Sequence, residues 1–186
     1  MQDRKISKSG LMSLDEALSG LQMPDGTRNM LALVNLPYLS FEGIIRTGQM
    51  VVNKRLVIEI KEIFTELLRL RFPIYQMVPV SAFGWDDDAS MEANNSSAFN
   101  YRPIAGTDRL SEHSFGWALD LNPVQNPFFA RSGNIYPAGA TYDLSVPGTI
   151  GADSEVAAIF KGKGWEWGGD WKTPIDYQHF EKPFRK

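Results

Sequence analysis

The chain of 186 residues contains no cysteine. Disulfides, thiolate zinc clusters and cysteine nucleophiles are therefore excluded, and any metal must be held by histidine and carboxylate. Histidine is scarce too, with only two in the whole sequence. No run approaches the roughly 20 apolar residues that cross a bilayer. The formal charge of −3, with basic residues scattered along the chain, offers no basic stripe for nucleic acid. The opening Met1 to Lys5 has no apolar core of a signal peptide, so the chain reads as cytoplasmic or as a mature form without its leader.

What remains is ordinary globular composition, 43% hydrophobic and 22% charged, in a length suited to a single domain. Residues 1–30 read as an N-terminal lead-in, with Ser13 and Glu16 forming a capping box ahead of Leu14, Ala17, Leu18 and Leu21. Residues 24–29 have turn chemistry. Leu31 to Leu36 and Gln49 to Val52 read as short strands. A helix is expected over Lys54 to Arg71, capped by Asn53, with Ile60, Ile63, Phe64, Leu67 and Leu68 on one face and Pro73 beyond its end. Ile74 to Val80 reads as a strand, residues 85–97 as a long polar loop, Trp117 to Leu121 as a strand and Ser154 to Lys161 as a short helix. Strands and helices mix without βαβ alternation, which points to an α+β fold with an antiparallel sheet flanked by helices.

Both histidines sit in distinctive settings. In Ser111-Glu112-His113-Ser114-Phe115-Gly116-Trp117-Ala118-Leu119-Asp120, a strand from Trp117 turns Leu119 and Leu121 to the core and Asp120 to the other side. Gly116 lets the preceding loop fold so that His113 and Asp120 converge. In Thr173-Pro174-Ile175-Asp176-Tyr177-Gln178-His179, Thr173 reads as an N-cap, and one helical turn then places Asp176 and His179 on a common face. Two histidines and one aspartate on a tetrahedral metal leave a position for water, as in a catalytic zinc site, and a nearby carboxylate is suited to take that water's proton. Arg102 is the candidate to stabilise the oxyanion. Glu181, two residues past His179, shares its face on a strand and suits either orienting the ring or simple solvation. Trp165, Trp167 and Trp171 suit either a cleft wall or the core, and Asn94 to Ser97 suit either substrate contacts or turns.

Ser111-x-His113-x-x-Gly116-x-Ala118-x-Asp120, followed by Trp167-Gly168-Gly169-Asp170-Trp171 and Asp176-x-x-His179-Phe180-Glu181, resembles the D-alanyl-D-alanine carboxypeptidase family of zinc peptidases over about residues 74–184. That family includes vancomycin-resistance peptidases and phage L-alanyl-D-glutamate endolysins. The resemblance implies one zinc ion on His113, Asp120 and His179, Asp176 as general base and Arg102 as polariser; Ser111, Trp167 and Glu181 are candidates to bind substrate or to support the ligands. It also implies the antiparallel fold shared with the hedgehog signalling domain, a peptidoglycan stem peptide as substrate and a location in the cell envelope. The resistance dipeptidases have Glu where this chain has Asp176, as the endolysin branch does. The bond is therefore left open between terminal D-Ala–D-Ala and internal L-Ala–D-Glu, with Arg109 and Arg131 as candidate clamps for a terminal carboxylate. A non-catalytic zinc module binding wall peptides or a protein is the rival reading.

Overall fold

The computed structural model describes residues 10–183. The chain start read above for a leader, Met1 to Lys5, lies outside them. The largest element is a hairpin of β1 (Leu31–Leu39) and β2 (Ile45–Asn53), each longer than its apolar stretch suggests, paired antiparallel with Val34 opposite Met50. The side-chain period of two sends Val34, Leu36, Met50 and Val52 into the main core and Leu31 and Val51 to the opposite face. That second face is covered by the segment expected as a lead-in. Helix α1 (Leu14–Ala17), closed by the Ser13–Glu16 capping box, buries Ala17 and Leu18 against Leu31, Val51 and Phe99. Residues 25–29 fold as a further helical turn, α2 (Asp25–Asn29), rather than as an open turn.

Helix α3 (Val57–Arg69) follows a 3-10 turn at Lys54–Leu56, whose Asn53 cap accepts from the Arg55 N–H. Ile60, Ile63, Phe64 and Leu67 are buried from it, each contributing roughly 1.5–3 kcal/mol relative to exposure; Leu68 is only half-buried. The expected strand over 74–80 does not form. Pro73 and Pro79 bracket it, and its groups bond irregularly: the Met77 carbonyl accepts from Gln49, while the Val78 N–H donates to the Asn95 side chain at 2.9 Å. Nor is 85–97 an open loop, because Asp86 caps a short helix, α4 (Asp87–Glu92). Asn94, Asn95 and Ser96 are buried and bonded inward, Asn95 to Val78 and Ser90 and Ser96 to the Asn122 N–H, so these three have a structural role rather than a substrate one.

The C-terminal half supplies two three-stranded antiparallel sheets in place of the single sheet expected. One orders β3 (Ala118–Asp120), β8 (His179–Glu181) and β6 (Glu166–Trp167) as β3-β8-β6. The other orders β4 (Phe128–Phe129), β5 (Ile135–Tyr136) and β7 (Ile175–Asp176) as β5-β4-β7. Helix α5 (Glu155–Gly162), capped by Ser154, adds Val156, Ala157 and Phe160 to the core that α3 and the inner face of β1–β2 share.

Gly116 joins the two halves. Its φ of +68° is one that side chains rarely adopt, and a Cβ there would lie 2.5 Å from the Asn53 nitrogen. Asn53 bonds both the Gly116 and the Phe115 carbonyls, so there is no slack for a methyl group. Gly116→Ala is expected to cost about 2–4 kcal/mol, or roughly 5–15 °C in Tm, read by thermal denaturation. An unchanged Tm would show that this junction is not tight.

Candidate metal centre

His113 lies on a 3-10 turn, Glu112–Phe115, that the Ser111 side chain caps by accepting from the His113 N–H at 3.3 Å. Gly116 then reverses the chain into β3. β3 is held on both sides: Ser97 exchanges two backbone hydrogen bonds with Asp120, and β8 pairs with Asp120 directly opposite His179. Residues directly opposite in an antiparallel pair have Cβ atoms about 4.5–5.5 Å apart. Register alone therefore brings these two together, and the turn carries His113 to them.

The three donors form a small triangle. His113 Nε2 lies 3.1 Å from His179 Nδ1 and 3.3 Å from Asp120 Oδ2, while His179 Nδ1 lies 3.1 Å from Asp120 Oδ1. Among the described residues this is the group of His, Asp and Glu side chains close enough to share an ion, and all three are buried. The remaining ring nitrogens are already engaged. His113 Nδ1 bonds the Ala98 carbonyl, and His179 Nε2 bonds Glu181 Oε2 at 3.0 Å. A carbonyl can only accept, so His113 carries its proton on Nδ1 and turns a lone pair on Nε2 toward the centre; the Glu181 carboxylate holds a proton on His179 Nε2, which leaves Nδ1 to Asp120 and the centre. Without a metal, a proton on His179 Nδ1 bridges to Asp120 Oδ1; a divalent cation would displace it and draw on both rings and the carboxylate. Bonds of about 2.0–2.1 Å to a tetrahedral metal correspond to donor separations of about 3.3 Å, close to the edges found here. The donor set and its outer partners fit a divalent metal of the zinc type.

The protonation behaviour carries the same message. Burial alone would lower His179, but hydrogen bonds that its ring donates to Asp120 and Glu181 outweigh it and lift the ring to about 10. Burial would raise Asp120, yet His113 and His179 hold it well below the ordinary carboxylate range. The pocket thus draws positive charge strongly. Glu181 is kept low chiefly by its bond to His179.

These residues lie in a cleft of about 970 Å³, which Arg102, Arg109, Ser111, Arg131, Trp171, Asp176 and Glu181 also line. Asp176 arrives differently from the sequence expectation. Thr173 caps no helix; Ile175 and Asp176 form β7 and pair with Phe129 and Phe128, because an extended partner strand satisfies their backbone groups better than a single isolated turn would. Asp176 Oδ1 is closed off from water with no hydrogen-bond partner. Burial, opposed by His179 and reinforced by the charge of Asp120, raises its carboxyl to about 7. Gly168 makes room for it, since a Cβ there would lie 2.5 Å from the Asp176 carbonyl oxygen. Gly169 likewise lies against the Trp167 ring, which explains the paired glycines of Trp167-Gly168-Gly169.

Trp167 corrects the expectation of a cleft role: it is 1% exposed, packs in the main core with Phe180, and donates its indole N–H to the Tyr177 carbonyl at 2.9 Å. Trp165 is core as well. Trp171 is the tryptophan at the site, its ring 5.3 Å from that of His179. Nothing in the residue pattern pointed to the Ala98 carbonyl or to Asp87, whose Oδ2 lies 2.7 Å from Arg102 Nη2 as an ion pair, because neither lies in a recognisable spacing.

No solved structure matches the chain. Residues 105–182 match the family model described as D-alanyl-D-alanine carboxypeptidase. That stretch holds His113, Asp120, Asp176 and His179, and over it the chain is similar to the M15 peptidases.

Proposed function

We propose that this peptidase is zinc-dependent, holds one ion on His113, Asp120 and His179, and cuts an amide bond in peptidoglycan stem peptides as a D-alanyl-D-alanine carboxypeptidase does. The observation that carries the reading is the triangle of buried donors beside the half-buried Asp176, whose Oδ1 is closed off without a partner, in an open cleft. When bound, zinc supplies an acidified water and a polarised carbonyl. Asp176 takes the proton as the amide carbon is attacked and returns it to the leaving nitrogen; a carboxyl raised by burial to about 7 is matched to both tasks near neutral pH. Arg102, always cationic, faces the same cleft and stabilises the oxyanion. Ser111 fixes the turn that carries His113, and Glu181 fixes the tautomer of His179. A stem-peptide substrate places the protein at the cell envelope.

Incubation with the synthetic pentapeptide L-Ala-D-Glu-L-Lys-D-Ala-D-Ala, followed by mass spectrometry, tests the reading. Loss of one D-Ala marks the carboxypeptidase, and loss of L-Ala marks the endopeptidase that Asp176 in place of glutamate favours. Zinc binding without cleavage would leave a binding module and overturn the enzyme. Independently, Glu181→Gln is expected to weaken zinc about 10–100-fold, measured by competition with a chelating dye. Unchanged affinity would remove Glu181 from the metal's support.

A further inference from the structure

Asp87, in the first turn of α4, joins the two sides of the Arg102 problem. Its Oδ2 forms an ion pair with Arg102 Nη2 at 2.7 Å, and its Oδ1 accepts from Asn100 Nδ2 at 3.1 Å. Asn100 is itself buried, and its backbone N–H donates to the His113 carbonyl at 3.3 Å. The main chain of Arg102 is fastened to the same turn. Its N–H donates to Ser114 Oγ at 3.0 Å, and its carbonyl accepts from Ser114 Oγ at 2.8 Å and from the Ser111 N–H at 3.1 Å. Residues 100–102 are thus stitched along the turn that carries His113.

That stitching fixes the Arg102 backbone but not its long side chain, which is 31% exposed and has many rotamers. Asp87 selects among them. The ion pair is made at Nη2, and Arg102 Nε, closed off from water, has no hydrogen-bond partner among the described residues. A guanidinium paired with one carboxylate and unsatisfied at Nε is held in place with hydrogen-bonding capacity left for a further acceptor. The geometry points to Asp87 as a positioning residue for the peptidase reaction, holding Arg102 where the substrate carbonyl lies; this rests on the oxyanion role given to Arg102 above. An ordinary surface ion pair, by contrast, contributes little and leaves catalysis untouched.

Zinc-loaded wild type, Asp87→Ala, Asp87→Asn, Arg102→Ala and the Asp87→Ala/Arg102→Ala double variant are compared on the same pentapeptide. Asp87→Ala is expected to lower kcat about 10–100-fold, with KM, zinc content and Tm little changed and Asp87→Asn recovering part of the loss. The double variant is expected to be no slower than Arg102→Ala, since one residue acts through the other. Additive losses, or an unchanged kcat in Asp87→Ala, overturn the proposal. The side-chain 15N signal of Arg102 Nε gives a reading without turnover. In wild type it should be resolved and protected from exchange, and in Asp87→Ala it should collapse onto the averaged arginine signal. If wild type cuts nothing, the peptidoglycan reading falls while this signal still decides whether Asp87 holds Arg102; a signal that does not move overturns the proposal.

Discussion

Asp176→Ala is expected to lower kcat by about 10²–10⁴-fold, the usual range for a lost general base, while one zinc per chain remains bound. The two outcomes separate because Asp176 is not among the three converging donors: it reaches the cleft from β7, in a different sheet from Asp120 and His179. Its pH signature follows from its setting. Burial raises the carboxyl to about 7, against the pull of His179 and with the push of Asp120. A base works ionised, so the rate should fall as pH drops through its pKa. A bound cation favours the ionised form and moves that midpoint below 7, above the ordinary aspartate value of about 3.9. The pH dependence of kcat/KM should therefore show an acid limb between those limits in wild type and lose it in Asp176→Asn. A limb that persists in Asp176→Asn, or a variant as fast as wild type, removes Asp176 from proton transfer.

His113→Ala or Asp120→Ala should have the larger effect on the metal itself. With either side chain gone, two donors remain of the triangle, and buried lone pairs in a small pocket do not rearrange to supply a third. Zinc content by atomic absorption should fall from one ion per chain to near none. Hydrolysis should drop by about 10³-fold or more, given the several kcal/mol that a Lewis acid contributes at 1.36 kcal/mol per decade. Chelator treatment of wild type should give the same loss, reversed by added zinc. A His113→Ala protein that keeps both its metal and its activity would refute the assignment.

The convergence of His113, Asp120 and His179 could be read from spacing because each neighbour constrains it locally. Ser111 caps the turn, Gly116 reverses the chain, and alternation along β3 buries Leu119 in the core while Asp120 faces the other way. The α3 face and the Ser13–Glu16 box were legible for the same reason, since their patterns repeat within one or two turns. Asp176 shows the limit. Thr173, Pro174 and Asp176 have the residue types of a helix start, yet pairing with Phe128 and Phe129 overrides that local preference. Trp167 shows another, because only its packing against Phe180, across β6 and β8, settles its ring in the core rather than the cleft.

By itself the sequence determined the chemistry available: no thiol, two imidazoles, and carboxylates at spacings that a capped turn and a short strand convert into nearness. The tertiary structure alone decided the surroundings of those groups, namely the Ala98 carbonyl that sets the His113 tautomer, the burial of Asp176 and the grip of Asp87 on Arg102. The division has one physical cause. Turns and strand alternation are encoded in neighbouring residues, whereas desolvation and partner choice depend on segments brought close only when the hairpin, the helices and the two small sheets pack together.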